Sequence, residues 1–169
     1  MAKVSVRVDL PGADVAAAER LWYDLGRWPN FVDGFATVAK VDDGWPAAGA
    51  TLIWDSRPNG RGRVIERVVA YEPFGGQTAE VEDSQLLGTQ AIAFAPARGG
   101  AQAALSLEYA LKRRGLLRAA VDVLFIRRAL ADSLRRTLVR FKHELAGDAH
   151  EGERHAGEHS EGRGERDDA

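Results

Sequence analysis

Cysteine is absent from the 169 residues, and histidine is absent from the first 142. The missing cysteines exclude disulfides, thiolate metal sites and cysteine nucleophiles. The missing histidines remove the side chain that most often acts as a general acid or base near neutral pH, which argues against an enzyme. We also find no glycine-rich phosphate loop, serine nucleophile elbow or dinucleotide fingerprint.

Long apolar runs are missing as well. No stretch approaches the roughly 20 residues that are needed to span a bilayer. The amino terminus leads into an alternating pattern and not into an apolar signal segment. The lack of cysteine suits a reducing compartment. We therefore expect a soluble, cytoplasmic protein.

The charge is unevenly distributed along the chain. The formal net charge is -2, but residues 148–169 contain eight acidic side chains and three arginines. This segment is rich in Gly, Glu and His and has no hydrophobic side chain larger than alanine, so burial cannot offset its ordering entropy. We predict one domain over residues 1–147, followed by a disordered acidic tail over residues 148–169.

Alternation of period two predicts a β-rich body. Val4, Val6 and Val8 alternate with polar residues, as in a half-buried strand. A short helix is predicted between Asp14, a suitable N-cap, and Gly26, a suitable terminator, and a second helical turn follows at residues 28–31. Six further strands, separated by turns rich in Gly, Pro, Asn and Asp, are predicted at residues 35–42, 50–57, 62–71, 77–83, 87–95 and 101–111, as in an antiparallel meander.

The segment from Leu116 to Leu145 contains no glycine or proline and predicts one long helix. On a helical wheel its leucines and Phe141 form one broad apolar face, and several arginines lie opposite. We expect this helix to pack on the apolar face of the sheet, which gives an α+β domain.

In this order, the elements resemble the helix-grip fold of the SRPBCC (START-like) superfamily, in particular its polyketide cyclase/dehydrase-like branch. The resemblance covers residues 3–145. It implies a curved antiparallel sheet of about seven strands wrapped on a long C-terminal helix, with a short helical pair after strand one. The segments that carry it are the Val4-x-Val6-x-Val8 strand, Val15 to Trp22, Asp24-Leu25-x-x-Trp28-Pro29-x-Phe31, Gly49, the Tyr71-Glu72-Pro73 turn and the terminal helix.

The resemblance also implies a cavity between sheet and helix that accepts lipids, polyketides, aromatic or isoprenoid molecules. Some relatives catalyse cyclisation or dehydration there, and many only bind or carry. We expect a carrier or binding protein for a small apolar ligand, without a cofactor. Two alternatives stay open: a cyclase, aromatase or dehydratase-type enzyme, and a protein- or membrane-interaction module that uses the basic C-terminal helix.

Three polar residues are candidates for chemistry in such a cavity. Arg127 lies near the middle of the apolar helix face, where a guanidinium needs a partner or water, so it anchors an acidic ligand or joins a structural ion pair. Glu66 points inward if Val64 does, and toward solvent if Ile65 is the inward residue. An inward Glu66 and Tyr109 would supply an acid, a base or an oxyanion donor.

The predicted ligand-binding residues lie on inward strand faces and on the long helix; they are Leu52, Trp54, Leu105, Leu107, Tyr109, Leu124 and Arg127. Trp54 either stacks on an aromatic ligand or packs in the core. We interpret Trp22 and Trp28 as core or cavity-lid residues. Trp45, in a loop, covers the pocket mouth or packs on the surface.

Neither a metal nor nucleic acid is predicted as a partner. The four histidines all lie at or beyond residue 143, and their spacing matches no compact zinc site. Lys112 to Lys142 carries ten basic and two acidic residues, but no aromatic platform interleaves them as in RNA-binding modules. We interpret this row as a solvated helix face, with transient membrane contact as the alternative.

Overall fold

The computed structural model describes residues 1–112 and 119–161, with side chains described for residues 1–112 and 124–148. Its elements are β1 (Ala2–Pro11), α1 (Val15–Tyr23), a 3-10 turn (Leu25–Arg27), α2 (Trp28–Phe31), β2 (Phe35–Val41), β3 (Thr51–Ser56), β4 (Arg63–Glu72), β5 (Gly76–Glu82), β6 (Leu86–Ala97), β7 (Gly100–Leu111) and α3 (Ala119–Glu161). The start predicted for the long helix, at Leu116, lies outside the described residues.

The seven strands form one antiparallel sheet in the order β1-β7-β6-β5-β4-β3-β2. Strands β2 to β7 are a meander, and β1 joins the sheet beside the last strand. The even-numbered residues of β1 and the odd-numbered residues of β7 face the same side, where most are buried. The α+β helix-grip fold with a short helical pair after strand one is therefore confirmed.

Gly88 on β6 marks a point where two strands approach closely. A Cβ at residue 88 would overlap the carbonyl oxygen of Glu108 and lie 2.9 Å from Cα of Tyr109. Only glycine allows this approach, which is a usual reason for a glycine within a strand. Gly76 and Gly100 meet neighbouring backbone in the same way, and the curvature of the sheet depends on such positions.

The middle of α3, from Leu134 to Leu145, packs against the concave face of the sheet and the short helices. Its buried side chains are Leu134, Leu138, Phe141 and Leu145. The ring of Phe141 lies 5.4 Å from Trp22 and 5.3 Å from Phe31, both in edge-to-face geometry. Each such aromatic pair stabilises the fold by about 0.5–1.5 kcal/mol beyond its buried area. The interpretation of Trp22 as a core residue is confirmed.

The C-terminal end predicted for the long helix, at Leu145, is wrong. In the structure α3 continues to Glu161. Extending a formed helix needs no new nucleus, and Ala, Glu and Arg favour it, while each glycine costs only about 1 kcal/mol. The segment predicted to be disordered is thus helical as far as Glu161, and residues 162–169 lie outside the described part. The division into a domain and a tail at residue 147 stays a prediction.

Asp33, in the turn after α2, ties that turn to α3. Its carboxylate accepts hydrogen bonds from Arg136 at 2.8 and 3.0 Å, from Ser133 at 2.9 Å and from Arg140 at 3.2 Å. Its backbone N–H donates to Thr137 Oγ1 at 3.0 Å. The hydrogen bond from Arg136 is the main cause that lowers the pKa of Asp33 below its ordinary value, against the opposing effect of burial.

We expect Asp33→Asn to lower the free energy of unfolding by about 1–3 kcal/mol, because several charge-assisted bonds are weakened. A depressed folded-state pKa gives stability that is present above the ordinary pKa of 3.8 and is lost as the pH falls through the folded-state value. Urea denaturation at pH 7 and at pH 3 measures both effects.

The matched control is Asp132→Asn, because Asp132 forms an exposed pair with Arg135 and, among the described residues, no hydrogen bond to the turn that contains Asp33. That variant should change stability by less than about 0.5 kcal/mol. Equal losses in the two variants would show that Asp33 does not hold α3 in place.

Candidate functional site

One row of inward positions crosses the concave face from β3 to β7. The register pairs Leu52 with Glu66, Glu66 with Val81, Val81 with Gly88, and Gly88 with Tyr109. The side chains of Leu52, Glu66, Val81 and Tyr109 are all at most 3% exposed. The fold therefore places two candidate polar residues, Glu66 and Tyr109, on one line of an otherwise apolar surface.

Glu66 points into the protein. Its side chain is 3% exposed, whereas Val69, on the opposite face of β4, is 50% exposed. The alternative of a solvent-facing Glu66 is therefore wrong. Trp54 Nε1 donates a hydrogen bond to Glu66 Oε1 at 2.8 Å. Burial raises the pKa of Glu66, against the opposing effects of Trp54 and of the Arg61 charge, so the environment favours the protonated carboxyl.

Trp54 is packed among other aromatic rings. Its ring lies 5.7 Å from Phe35 and 6.4 Å from Trp28. Trp28 is 3% exposed, so its interpretation as a core residue is confirmed. Trp45 is half-buried, lies 6.2 Å from Trp28 and donates to the Tyr23 carbonyl oxygen at 3.3 Å. The indole of Trp54 thus orients the Glu66 carboxyl from within the core.

Tyr109 carries a buried hydroxyl that has no hydrogen-bond partner among the described residues. Its side chain is 2% exposed. Burial raises the pKa of Tyr109, and the positive charge of Arg127 acts against that effect. The phenol is therefore a protonated donor in apolar surroundings, where such a group normally finds an acceptor.

The first turns of α3 whose side chains are described are less buried than its middle. Leu124 is 71% exposed and Phe125 is 73% exposed. Ile126 and Leu130 are half-buried and pack against the core, so the helix keeps contact with the domain here. Arg127 is exposed, although Leu134, which lies on the same side of the helix two turns later, is 8% exposed. That Leu124 and Arg127 line a ligand cavity stays a prediction.

The other predicted lining residues are buried strand positions. Leu105 is 2% exposed and Leu107 is 1% exposed. Both lie on β7, on the same face as Tyr109. The β7 part of the predicted lining is thus continuous along one strand, whereas Leu52 and Trp54 lie on β3, near the far edge of the sheet.

Sequence reasoning missed a second polar group, formed by Arg61 and Asp83. Arg61 Nε donates to Asp83 Oδ2 at 2.6 Å, and the Asp83 side chain is 1% exposed. Both residues lie in connections between strands, so the period-two pattern does not report on them. The only signal in the sequence is the oppositely charged pair beside the turns of two adjacent hairpins.

One further feature lies away from this row. A half-open cleft of about 380 Å³ separates α1 from the C-terminal half of α3, and Arg27 at its edge pairs with Glu144 and Asp148. Within the described residues, no three His, Cys, Asp or Glu side chains are grouped as a metal site.

The basic row of α3 is partly engaged within the chain. Arg136 and Arg140 bind Asp33, as described above. In the part of the chain that the structure describes, no helix is both long and apolar enough to cross a membrane.

We expect the stability difference between the wild type and Glu66→Gln to depend on pH. A carboxyl with a raised folded-state pKa binds its proton more tightly in the folded state. The wild type should therefore lose stability relative to the glutamine variant as the pH rises above the ordinary value of 4.5. Urea denaturation of both proteins between pH 5 and pH 9 measures this difference.

Glutamine keeps the oxygen that accepts from Trp54, and the other titrating groups cancel between the two proteins. A stability difference that stays constant over this pH range would mean that the folded state does not raise the pKa of Glu66.

Comparisons with known proteins agree with this fold. A family model described as "Polyketide cyclase / dehydrase and lipid transport" matches residues 1–146. A comparison with curated proteins returned no match. A solved structure from Thermus thermophilus is 14% identical, with a TM-score of 0.71, and the match covers 87% of this chain and 99% of that one.

Two further solved structures are similar. The di-domain ARO/CYC StfQ from the steffimycin biosynthetic pathway is 17% identical, with a TM-score of 0.67, over 87% of this chain and 52% of StfQ. A protein from Rhodobacter sphaeroides is 17% identical, with a TM-score of 0.62, over 86% of this chain and 93% of that one. At these identities the structures show a shared fold. The family match extends over most of the chain, and this protein belongs to the polyketide cyclase/dehydrase and lipid transport family.

Proposed function

We propose that this protein binds a small apolar molecule on the concave face beside Tyr109, beneath the first described turns of α3, and acts as a carrier or binding protein. The observation that carries the proposal is the Tyr109 hydroxyl, which is buried and has no hydrogen-bond partner among the described residues. A ligand atom that accepts its proton would remove the cost of that unpaired donor.

The surface around Tyr109 is suited to an apolar ligand. Leu105, Leu107, Val81 and Leu86 are each buried and lie on the same side of the sheet. Ligand sites are mostly apolar, with a few polar groups that fix orientation. Affinity would come mainly from buried apolar area, at about 25 cal/mol per Å². Lipid, polyketide, aromatic and isoprenoid molecules all match this description, and the family name includes lipid transport.

The exposed start of the described part of α3 is the side from which such a molecule would enter. Leu124 and Phe125 expose large apolar side chains at this end of the helix, and a bound ligand would cover part of that surface. The positive charge of Arg127 acts on Tyr109, so an acidic group at the edge of the ligand would lie near this guanidinium. These positions support a site in which Arg127 lies at the mouth and Tyr109 lies in the interior.

A second candidate function is a cyclase or dehydratase activity at the same site. Glu66 favours it, because burial raises the pKa of this carboxyl and so makes it a better candidate for a general acid. The fold is shared with StfQ, which is described as an ARO/CYC. In this reading water takes the α-proton of the substrate, Tyr109 stabilises the resulting enolate oxygen, and Glu66 donates its proton to the carbonyl oxygen that the enolate carbon attacks. Conversion of a linear poly-β-ketone by the wild type, and its loss in Glu66→Gln with binding preserved, would support catalysis.

We expect Tyr109→Phe to weaken binding of an oxygen-bearing apolar probe about 3- to 10-fold, because one hydrogen bond is lost and the ring remains. The neutral fluorophore aminoanthracene reports occupancy of the site, and a long-chain alcohol and the corresponding alkane serve as displacing ligands. The loss should appear for the alcohol and not for the alkane.

Tyr23→Phe is the matched control. Its hydroxyl is also buried without a partner among the described residues, but Tyr23 packs against Tyr71 and Trp45, away from the row that carries Tyr109. That variant should bind both ligands as the wild type does. If aminoanthracene does not bind, and calorimetry also detects no binding of the alcohol or the alkane, the results contradict a binding site at this position.

A further inference from the structure

We propose that Arg61 is a recognition residue whose Nη2 donates a hydrogen bond to an uncharged oxygen of the apolar ligand, such as a ketone or ester carbonyl. This inference rests on the function proposed above and names the group that the ligand presents. It starts from the part-buried contact between Arg61, in the connection between β3 and β4, and the buried Asp83, in the connection between β5 and β6.

Asp83 is held rigidly. Its Oδ1 accepts from the backbone N–H groups of Gln85 at 2.8 Å and Leu86 at 2.9 Å, and its Oδ2 accepts from Arg61 Nε at 2.6 Å. The side chain of Asp83 is 1% exposed. Three donors thus fix the carboxylate, and the carboxylate in turn fixes the direction of the planar guanidinium.

Arg61 Nη2 is buried and has no hydrogen-bond partner among the described residues. A guanidinium carries five N–H donors and cannot lose its proton to reduce the cost of burial. A buried charged donor without a partner costs more free energy than a buried neutral donor without a partner. Asp83 therefore fixes the guanidinium through Nε, and Nη2 keeps an unused donor. A side chain that is held in place and has a free donor is suited to bind a ligand.

The unused donor lies at the same end of the concave face as Tyr109. Asp83 follows Val81 by two positions, so it lies in the row next to the one that contains Glu66, Val81, Gly88 and Tyr109. The Arg61 charge acts on the Glu66 carboxyl, so these two groups are neighbours although no hydrogen bond joins them. Two unpaired donors, Arg61 Nη2 and Tyr109 Oη, thus occupy adjoining rows of one apolar surface.

The charge balance favours an uncharged oxygen over a carboxylate. Asp83 already compensates the positive charge of Arg61 at 2.6 Å. A second carboxylate would lie beside the buried Asp83 and repel it, at the further cost of its own desolvation. A carbonyl oxygen accepts the hydrogen bond without adding charge.

Three probes of one shape test this inference: acetylnaphthalene, which carries a ketone, ethylnaphthalene, which lacks the oxygen, and naphthoate, which is charged. By isothermal titration calorimetry, the wild type should bind the ketone about 10- to 100-fold more tightly than the hydrocarbon, as expected for a hydrogen bond from a charged donor. Naphthoate should bind more weakly than the ketone.

Arg61→Lys keeps the positive charge beside Asp83 and removes Nη2. It should reduce the preference for the ketone over the hydrocarbon about tenfold or more and leave the affinity for the hydrocarbon unchanged. Arg63→Lys is the matched control, because Arg63 follows in the same hairpin and, within the described part of the chain, pairs with Asp55 alone on the exposed side of the sheet. It should leave all three affinities unchanged.

Should Arg61→Lys fail to fold, the double variant Arg61→Met/Asp83→Asn removes both charges together and should show the same loss of ketone preference. Equal wild-type affinities for ketone and hydrocarbon, or a ketone preference that survives in both variants, would overturn the role of Arg61 and leave the apolar site intact. Failure of the wild type to bind any of the three probes would contradict the proposed function itself.

Discussion

The packing of the sheet and the short helices against the middle of α3, from Leu134 to Leu145, determines the rest of this structure. Phe141 packs against the rings of Trp22 and Phe31, and Leu134, Leu138 and Leu145 continue the same buried stripe. Asp33 reinforces this contact from the other side of the helix. Toward the first described turns the contact is thinner, because Ile126 and Leu130 are only half-buried there. Leu124 is exposed in that part of the helix.

Much of the architecture could be predicted from the sequence, because in a sheet with one buried face every second residue of a strand is apolar. Leu52, Leu105 and Leu107 are buried where that alternation places them. The face of Glu66 could not be decided, since β4 carries branched residues on both sides; the structure buries Val64 with Glu66 and leaves Ile65 half-buried. Periodicity reports which residues share a face, but not which of two apolar faces is covered.

The candidate site was less accessible to prediction, for two physical reasons. A helical wheel places Arg127 among the leucines. Whether Arg127 is buried also depends on which part of the helix contacts the sheet, and a helical wheel does not show this. Arg61 and Asp83 lie in connections without periodicity, and they meet only because two adjacent hairpins end at the same edge of the sheet. Polar groups set by tertiary geometry are the part of a binding site that a single sequence reveals least.

The close approach at Gly88 restricts how this protein can change over evolutionary time. No side chain can be introduced at that position without displacing the backbone of β7. The surface of the sheet beside Tyr109 is therefore formed by backbone atoms at this position. If the proposed ligand binds here, the space for it cannot be changed by a larger side chain at residue 88. Changes in specificity would then occur at other inward positions, such as Val81, or in the first turns of α3. The fold thus keeps the backbone at Gly88 constant and allows the surrounding inward positions to vary.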